Sequence, residues 1–144
     1  MEDKLTAPWQ PTKSLIFLAS PYSHESAKVR EIRYNDALEI TTAILRRGRF
    51  IFSPIVFCHH IALQHKLPKD AAYWEAYNEA MLKVCDELYI LCINGIDTSK
   101  GVHREIILAE SISMRRTFVE KSLVSGDVSF ISPRRARITW RVQI

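Results

Sequence analysis

Glycine is scarce in this chain, four in 144 residues, and the scarcity excludes two common ligand classes at once. Glycine-built phosphate loops need several such residues close together, so that backbone N–H groups meet the ligand with no Cβ in the way. Neither G-x-G-x-x-G nor G-x-x-x-x-G-K-[ST] occurs, so the dinucleotide fingerprint and the P-loop are both ruled out. Cysteine is sparse too. Three of them, an odd number, fit a reduced cytoplasmic chain better than a disulfide scaffold. Long hydrophobic runs are missing: Leu15 to Ala19 and Leu88 to Ile93 fall far short of the roughly 20 residues that span a bilayer. Met1 to Lys4 opens no signal peptide, and no membrane partner is expected. Metal-ligand spacing is also lacking. Cys58, His59, His60 and His65 fit no standard zinc pattern, and neither a metal nor another cofactor is expected.

What is present is the composition of one globular domain, 47% hydrophobic and 25% charged. At this length folding hides roughly two thirds of the unfolded chain's surface, enough for a core without covalent staples. The net charge of +4 hints at anionic partners. Much of it lies in Arg134, Arg135, Arg137 and Arg141, where Trp140 is the lone aromatic. Nucleic-acid surfaces interleave several aromatics with such charges, so no stable nucleic-acid partner is expected and a charged strand edge explains the cluster better.

Residues 1–13 read as a flexible lead and residues 14–144 as a single domain. Ser14 to Ser20 is a continuous apolar run stopped by Pro21, the pattern of a strand buried on both faces. His24 to Arg47 has helical spacing through Val29, Ile32, Ala37, Ile40 and Ile44, closed by Gly48. Phe50 to Phe52 is a second strand; residues 55–69 carry no clear pattern. Asp70 precedes a helix with a stripe at Trp74, Tyr77, Met81 and Val84 or Cys85. A strand from Glu87 to Ile93, a helix from about Lys100 to Arg115 capped by Ser99, and weaker strands near 117–124 and 138–144 complete the chain. Alternating strands and helices give an α/β fold: a single-domain flavodoxin-like or Rossmann-like three-layer sandwich on a central parallel sheet. Ligands of such sheets sit beyond the carboxyl ends of the strands, which singles out the loops at residues 20–24, 53–60 and 94–101.

The segment Ser99-Lys100-Gly101-Val102-His103-Arg104-Glu105 opens a helix, whose unpaired N–H groups and dipole make a seat for phosphate or carboxylate. Gly101 and Glu105 are four apart and share a face, so a ligand lying over the glycine reaches the carboxylate. Glu105 at the edge of the core is a candidate nucleophile or base; the bland alternative is a surface residue paired with Arg104 or Arg115. In the first loop, Ser20 and Pro21 offer a second set of anion contacts and Tyr22 a ring to stack, unless Ser23 merely caps the next helix.

Ile16-Phe17-Leu18-Ala19-Ser20-Pro21-Tyr22, Phe52-Ser53-Pro54-Ile55 and Gly95-Ile96-Asp97-Thr98-Ser99-Lys100-Gly101 through Glu105 together resemble the nucleoside 2-deoxyribosyltransferase superfamily. The last segment is similar to the 2′-deoxynucleoside 5′-monophosphate N-glycosidases, and the likeness covers residues 14–112. The resemblance implies an enzyme in which Glu105 attacks C1′ of the sugar, while Ser20, Ser99 and Gly101 surround the 5′-phosphate. It also implies a homo-oligomer, dimer or higher. Asn78 stands where relatives often carry an acid that orients the nucleotide or protonates the base, and Phe17 where many carry tyrosine. Asp97 is the candidate replacement for the missing carboxylate. His59 and His60 are candidates for reading the base. Hydrolysis of a small-molecule nucleotide is favoured over base transfer, because Ser99 replaces an aspartate that would repel a phosphate. Two other readings compete: a catalytically inactive nucleotide-binding module, and a basic nucleic-acid-binding domain.

Overall fold

A computed structural model of the chain describes Trp9 and residues 14–132. The elements are β1 (Leu15–Ala19), α1 (Ala27–Arg46), β2 (Phe50–Phe52), α2 (Pro54–His65), α3 (Ala71–Val84), β3 (Glu87–Leu91), α4 (Lys100–Ser111), β4 (Arg115–Lys121) and β5 (Val128–Ile131). The strands form one sheet in the order β2-β1-β3-β4-β5. The first four run parallel, Phe17 lying beside Phe52 on one side and Leu88 on the other. β5 is antiparallel to β4 and adds an edge strand to the expected central parallel sheet. Its direction follows from the short connection through 122–127, which turns back on itself, Gly126 N–H and Ser122 N–H closing onto Ser122 and Asp127 carbonyls. A parallel crossover needs a dozen or more residues.

Both faces of the sheet are covered, as apolar runs without polar alternation require. Phe17, Ala19, Leu88, Ile90 and Phe118 meet Leu82 of α3 and Val102, Ile106 and Ala109 of α4. Ile16, Leu18, Leu91 and Val119, on the opposite pleats, meet Ala37, Ile40 and Ile44 of α1. Val102, Ile106 and Ala109, spaced at four and three, form the buried stripe of α4. The α1 and α3 stripes hold in part: Ala37, Ile40 and Ile44 are buried and so is Cys85 of the Val84 or Cys85 pair, but Ile32 and Tyr77 are exposed, and Leu82 is the fully buried residue of α3. Residues 55–69 are not patternless, since they hold α2. Ser53 caps it by accepting from Val56 N–H at 3.2 Å, Pro54 opens it, and Lys66 ends it in the left-handed region. α1 begins later than expected, at Ala27, with Ser26 rather than Ser23 as its cap. The lead apart from Trp9, the arginine cluster and the strand expected at 138–144 lie outside the described residues. No helix among the described residues is long and apolar enough to cross a membrane.

Candidate functional site

The strand order reverses at β1, which has β2 on one side and β3 on the other. The loops leaving the carboxyl ends of β1 and β3 therefore diverge and leave a crevice between them. A cleft of about 410 Å³ occupies this place, in the range of small-molecule sites. Its floor and walls include Ser20 and Tyr22 from the β1 loop, Cys58 and His59 from α2, Trp74 and Asn78 from α3, and Ser99, Gly101 and Glu105 from α4. A shallower recess of about 320 Å³ adjoins it and shares Asn78, Gly101 and Glu105.

At one end stands the N-terminus of α4. Ser99 adopts an extended backbone and its Oγ accepts from Val102 N–H at 3.3 Å, which aims the first N–H groups of the helix at the cleft. Ser20 faces the same space. It is 7% exposed, and its Oγ is buried with no hydrogen-bond partner. A buried hydroxyl left unpaired costs about 1–3 kcal/mol, which a ligand at this place recovers. Arg33 of α1 closes the end: its Nη1 donates to Ser23 C=O at 2.9 Å, and its Nε is buried without a partner. The guanidinium lies against Gly95, whose φ of +95° belongs to the left-handed region and whose missing Cβ leaves Arg33 its room.

One turn further into α4 is Glu105, partly buried where the helix meets α3. Burial pushes its carboxyl up to about 8, and the neighbouring Arg104 only partly opposes this. Arg104 itself is held outward by Glu75 at 3.2 Å. Asn78 shares this stretch of the cleft, and its Oδ1 is another buried atom with no hydrogen-bond partner.

Tyr22 and His59, also in the lining, belong to a chain of hydrogen bonds. Tyr22 Oη lies 2.7 Å from His59 Nδ1, and His59 Nε2 lies 2.8 Å from Glu31 Oε2. The ring of Tyr34 stacks on His59 with centroids 4.3 Å apart.

Of the residues singled out from the sequence, Glu105, Asn78, Ser20, Tyr22, Ser99, Gly101 and His59 line the cleft together. Four do not. Phe17 points into the core with no exposure, because its pleat faces α3 and α4 rather than the strand end. Pro21 is buried in the loop behind Ser20, outside the lining. Asp97 is exposed on the turn before α4, so it supplies no carboxylate to the cleft. His60 is turned outward by the helical step from His59 and sits edge-on to Tyr34. Arg33, Trp74 and Glu31 are the functional candidates that sequence reasoning missed. Arg33 and Glu31 lie within the first helix, outside the loops singled out from the sequence, and Trp74 belongs to the stripe read for the third helix. Among the described residues, no group of three or more His, Cys, Asp or Glu side chains is placed to hold a metal ion.

Residues 14–121 match DUF1937, a domain of unknown function. The chain belongs to the DUF1937 family. The matched span runs from before β1 to the end of β4 and contains every residue of the cleft. The cleft thus lies within the span matched to DUF1937, and β5 lies beyond it. No curated protein matches this DUF1937 chain at a significant level.

Proposed function

We propose that the cleft binds a nucleoside or deoxynucleoside 5′-monophosphate and hydrolyses its N-glycosidic bond, with Glu105 as nucleophile. One observation carries the reading above the others: a desolvated carboxyl stands one helical turn inside a helix N-terminus that also faces an unpartnered, buried hydroxyl. The N–H groups opening α4, with Ser20 and Arg33, suit a phosphate. A sugar attached to that phosphate extends over Gly101 and brings C1′ to Glu105. The base then lies toward Tyr22, His59 and Trp74, whose rings suit a planar heterocycle.

The chemistry follows from charge. Breaking the C1′–N bond sends its electron pair to the base and leaves an oxocarbenium-like sugar. In a site stripped of water an ionised Glu105 stabilises that cation far more than it would in bulk solvent, then captures it as a glycosyl ester. Water attacking C1′ releases Glu105 and the sugar phosphate. Asn78, an amide, orients the ligand through Oδ1 and Nδ2 but supplies no proton as an acid would. The resemblance to the nucleoside 2-deoxyribosyltransferase superfamily supports the same assignment of Glu105, Ser20, Ser99 and Gly101.

The test is incubation of the purified protein with a panel of ribo- and deoxyribonucleoside 5′-monophosphates, with free base followed by chromatography. Wild type is expected to release base from at least one member, and Glu105→Ala to lower that rate by more than about 1,000-fold. Release that survives the substitution contradicts the nucleophile. Tight nucleotide binding without any release indicates an inactive binding module instead.

A further inference from the structure

The hydrogen bonds that join Tyr22, His59 and Glu31 have no part in the proposed mechanism, and that mechanism lacks a proton donor. We propose that Glu31, His59 and Tyr22 form a two-way proton relay, with Tyr22 Oη giving a proton to the departing base and later taking one from the attacking water. This rests on the glycosidase reading of the same cleft.

What each group can donate fixes the direction of the hydrogen bonds. A carboxylate only accepts, so the 2.8 Å contact to Glu31 Oε2 places a proton on His59 Nε2. With the imidazole neutral, Nδ1 is then bare, and Tyr22 gives it the phenolic O–H across 2.7 Å. In that state the lone pairs of Oη face the cleft. With the imidazole protonated, Nδ1–H donates to Oη instead, and the phenolic O–H is free to turn into the cleft. Tyr22 therefore presents a donor or an acceptor according to the charge on His59. The ring cannot swing out of this role, being 2% exposed, stacked on Tyr34 and edge-on to Tyr22 and His60. Tyr22 and His59 line the cleft, whereas Glu31 sits on its outer side, half exposed. The charged and titratable groups around the pair are Arg30 and Glu31 on α1, Cys58 and His60 on α2, and Tyr34 stacked above. Burial raises the Tyr22 phenol above its ordinary value, Arg30 opposes this, and Glu31 and Cys58 add to it. The phenol thus passes protons rather than losing its own.

The steps balance. In the first, the C1′–N bond breaks and Glu105 Oε bonds to C1′. The base nitrogen takes the proton of Tyr22 Oη, and Oη takes the proton of His59 Nδ1, leaving His59 neutral. In the second, water oxygen bonds to C1′ and the Glu105 ester opens. The water proton passes to Oη as the phenolic proton moves to Nδ1, restoring the imidazolium beside Glu31. One relay acts as acid and then as base, as microscopic reversibility allows in retaining glycosidases.

The test compares wild type, Tyr22→Phe and Glu31→Gln on two substrates: a nucleoside 5′-monophosphate, and p-nitrophenyl 2-deoxyriboside 5-phosphate, whose leaving group departs as a stable anion. Tyr22→Phe is expected to slow base release about 100-fold. With the nitrophenyl substrate it is expected to keep a fast first turnover, seen as a burst of one nitrophenolate per enzyme, followed by slow turnover. Glu31→Gln, an exposed change that leaves the fold in place, is expected to move the alkaline limb of kcat/KM to lower pH, since the imidazolium needed for the first step loses its counter-ion. If Tyr22→Phe leaves base release unchanged, or slows the nitrophenolate burst as much as base release, the relay is overturned. An unmoved pH profile in Glu31→Gln overturns it as well. A wild type that releases neither base nor nitrophenolate overturns the glycosidase reading and the relay with it, and so separates the two failures.

Discussion

Glu105 shows how one side chain binds activity and stability together. In the proposed mechanism only its ionised form attacks C1′, yet burial holds the carboxyl up to about 8. The kcat/KM of this chain is expected to rise with pH through a limb near that value, because this parameter reports the free protein. The same shift acts on folding. Unfolded, the carboxyl titrates near 4.5; folded, it keeps its proton to about 8. The stability tied to that proton is full below the unfolded value and is lost as pH rises toward the folded one, by about 1.4 kcal/mol per pH unit. Glu105→Gln removes the dependence. Its melting temperature is expected to exceed that of wild type by several degrees near pH 8, with the two curves converging toward pH 4.5. Parallel melting curves across that range contradict the burial of the carboxyl. The spacing Ser99, Gly101, Glu105 was legible in the sequence because it is local to one helix. The burial was not, since it depends on α3 packing against α4 from a segment distant in sequence.

At the scale of elements, α4 and its preceding turn do most of the positioning. Its stripe of Val102, Ile106 and Ala109 is buried as its spacing requires, which fixes the direction of the helix N-terminus. Gly95 holds the turn before it in the left-handed region and leaves Arg33 its place. Gly95→Ala is expected to lower stability by about 1–3 kcal/mol, and to weaken phosphate binding because the new Cβ collides with the Arg33 guanidinium. Denaturant unfolding and calorimetric titration with a nucleoside 5′-monophosphate measure the two effects; an unchanged affinity contradicts Arg33 as an anion contact. α2 shows why one element was illegible. Its buried residues Pro54, Cys58 and Ala62 recur every fourth position, but Phe57, Ile61 and Leu63 are apolar and exposed, so the stripe is lost in a general hydrophobicity. His59 thereby looked like one of a loop pair with His60, whereas the helix separates them onto different faces.

Over the whole molecule, strand order decides where chemistry can occur. The reversal at β1 opens the crevice, and the three loops singled out from alternating strands and helices do converge on it. Global topology was legible because each of the first three strands is short, apolar and followed by a helix. The antiparallel β5 was not, because its residues alternate weakly and follow a turn that the sequence does not distinguish from a longer loop. Net charge proved a poor guide. The excess of +4 counts formal charges, whereas the proposed anion seat combines one arginine with hydroxyls and backbone N–H groups that carry none. The central claim, that this cleft takes a sugar onto Glu105, has a direct physical signature. Wild type mixed with a nucleoside 5′-monophosphate it cleaves, quenched in acid within a turnover, is expected to gain the mass of one sugar-phosphate unit. Peptide mapping is expected to locate the gain on Glu105 and to find none in Glu105→Ala. Base release with no adduct on wild type, or an adduct on another residue, contradicts the account.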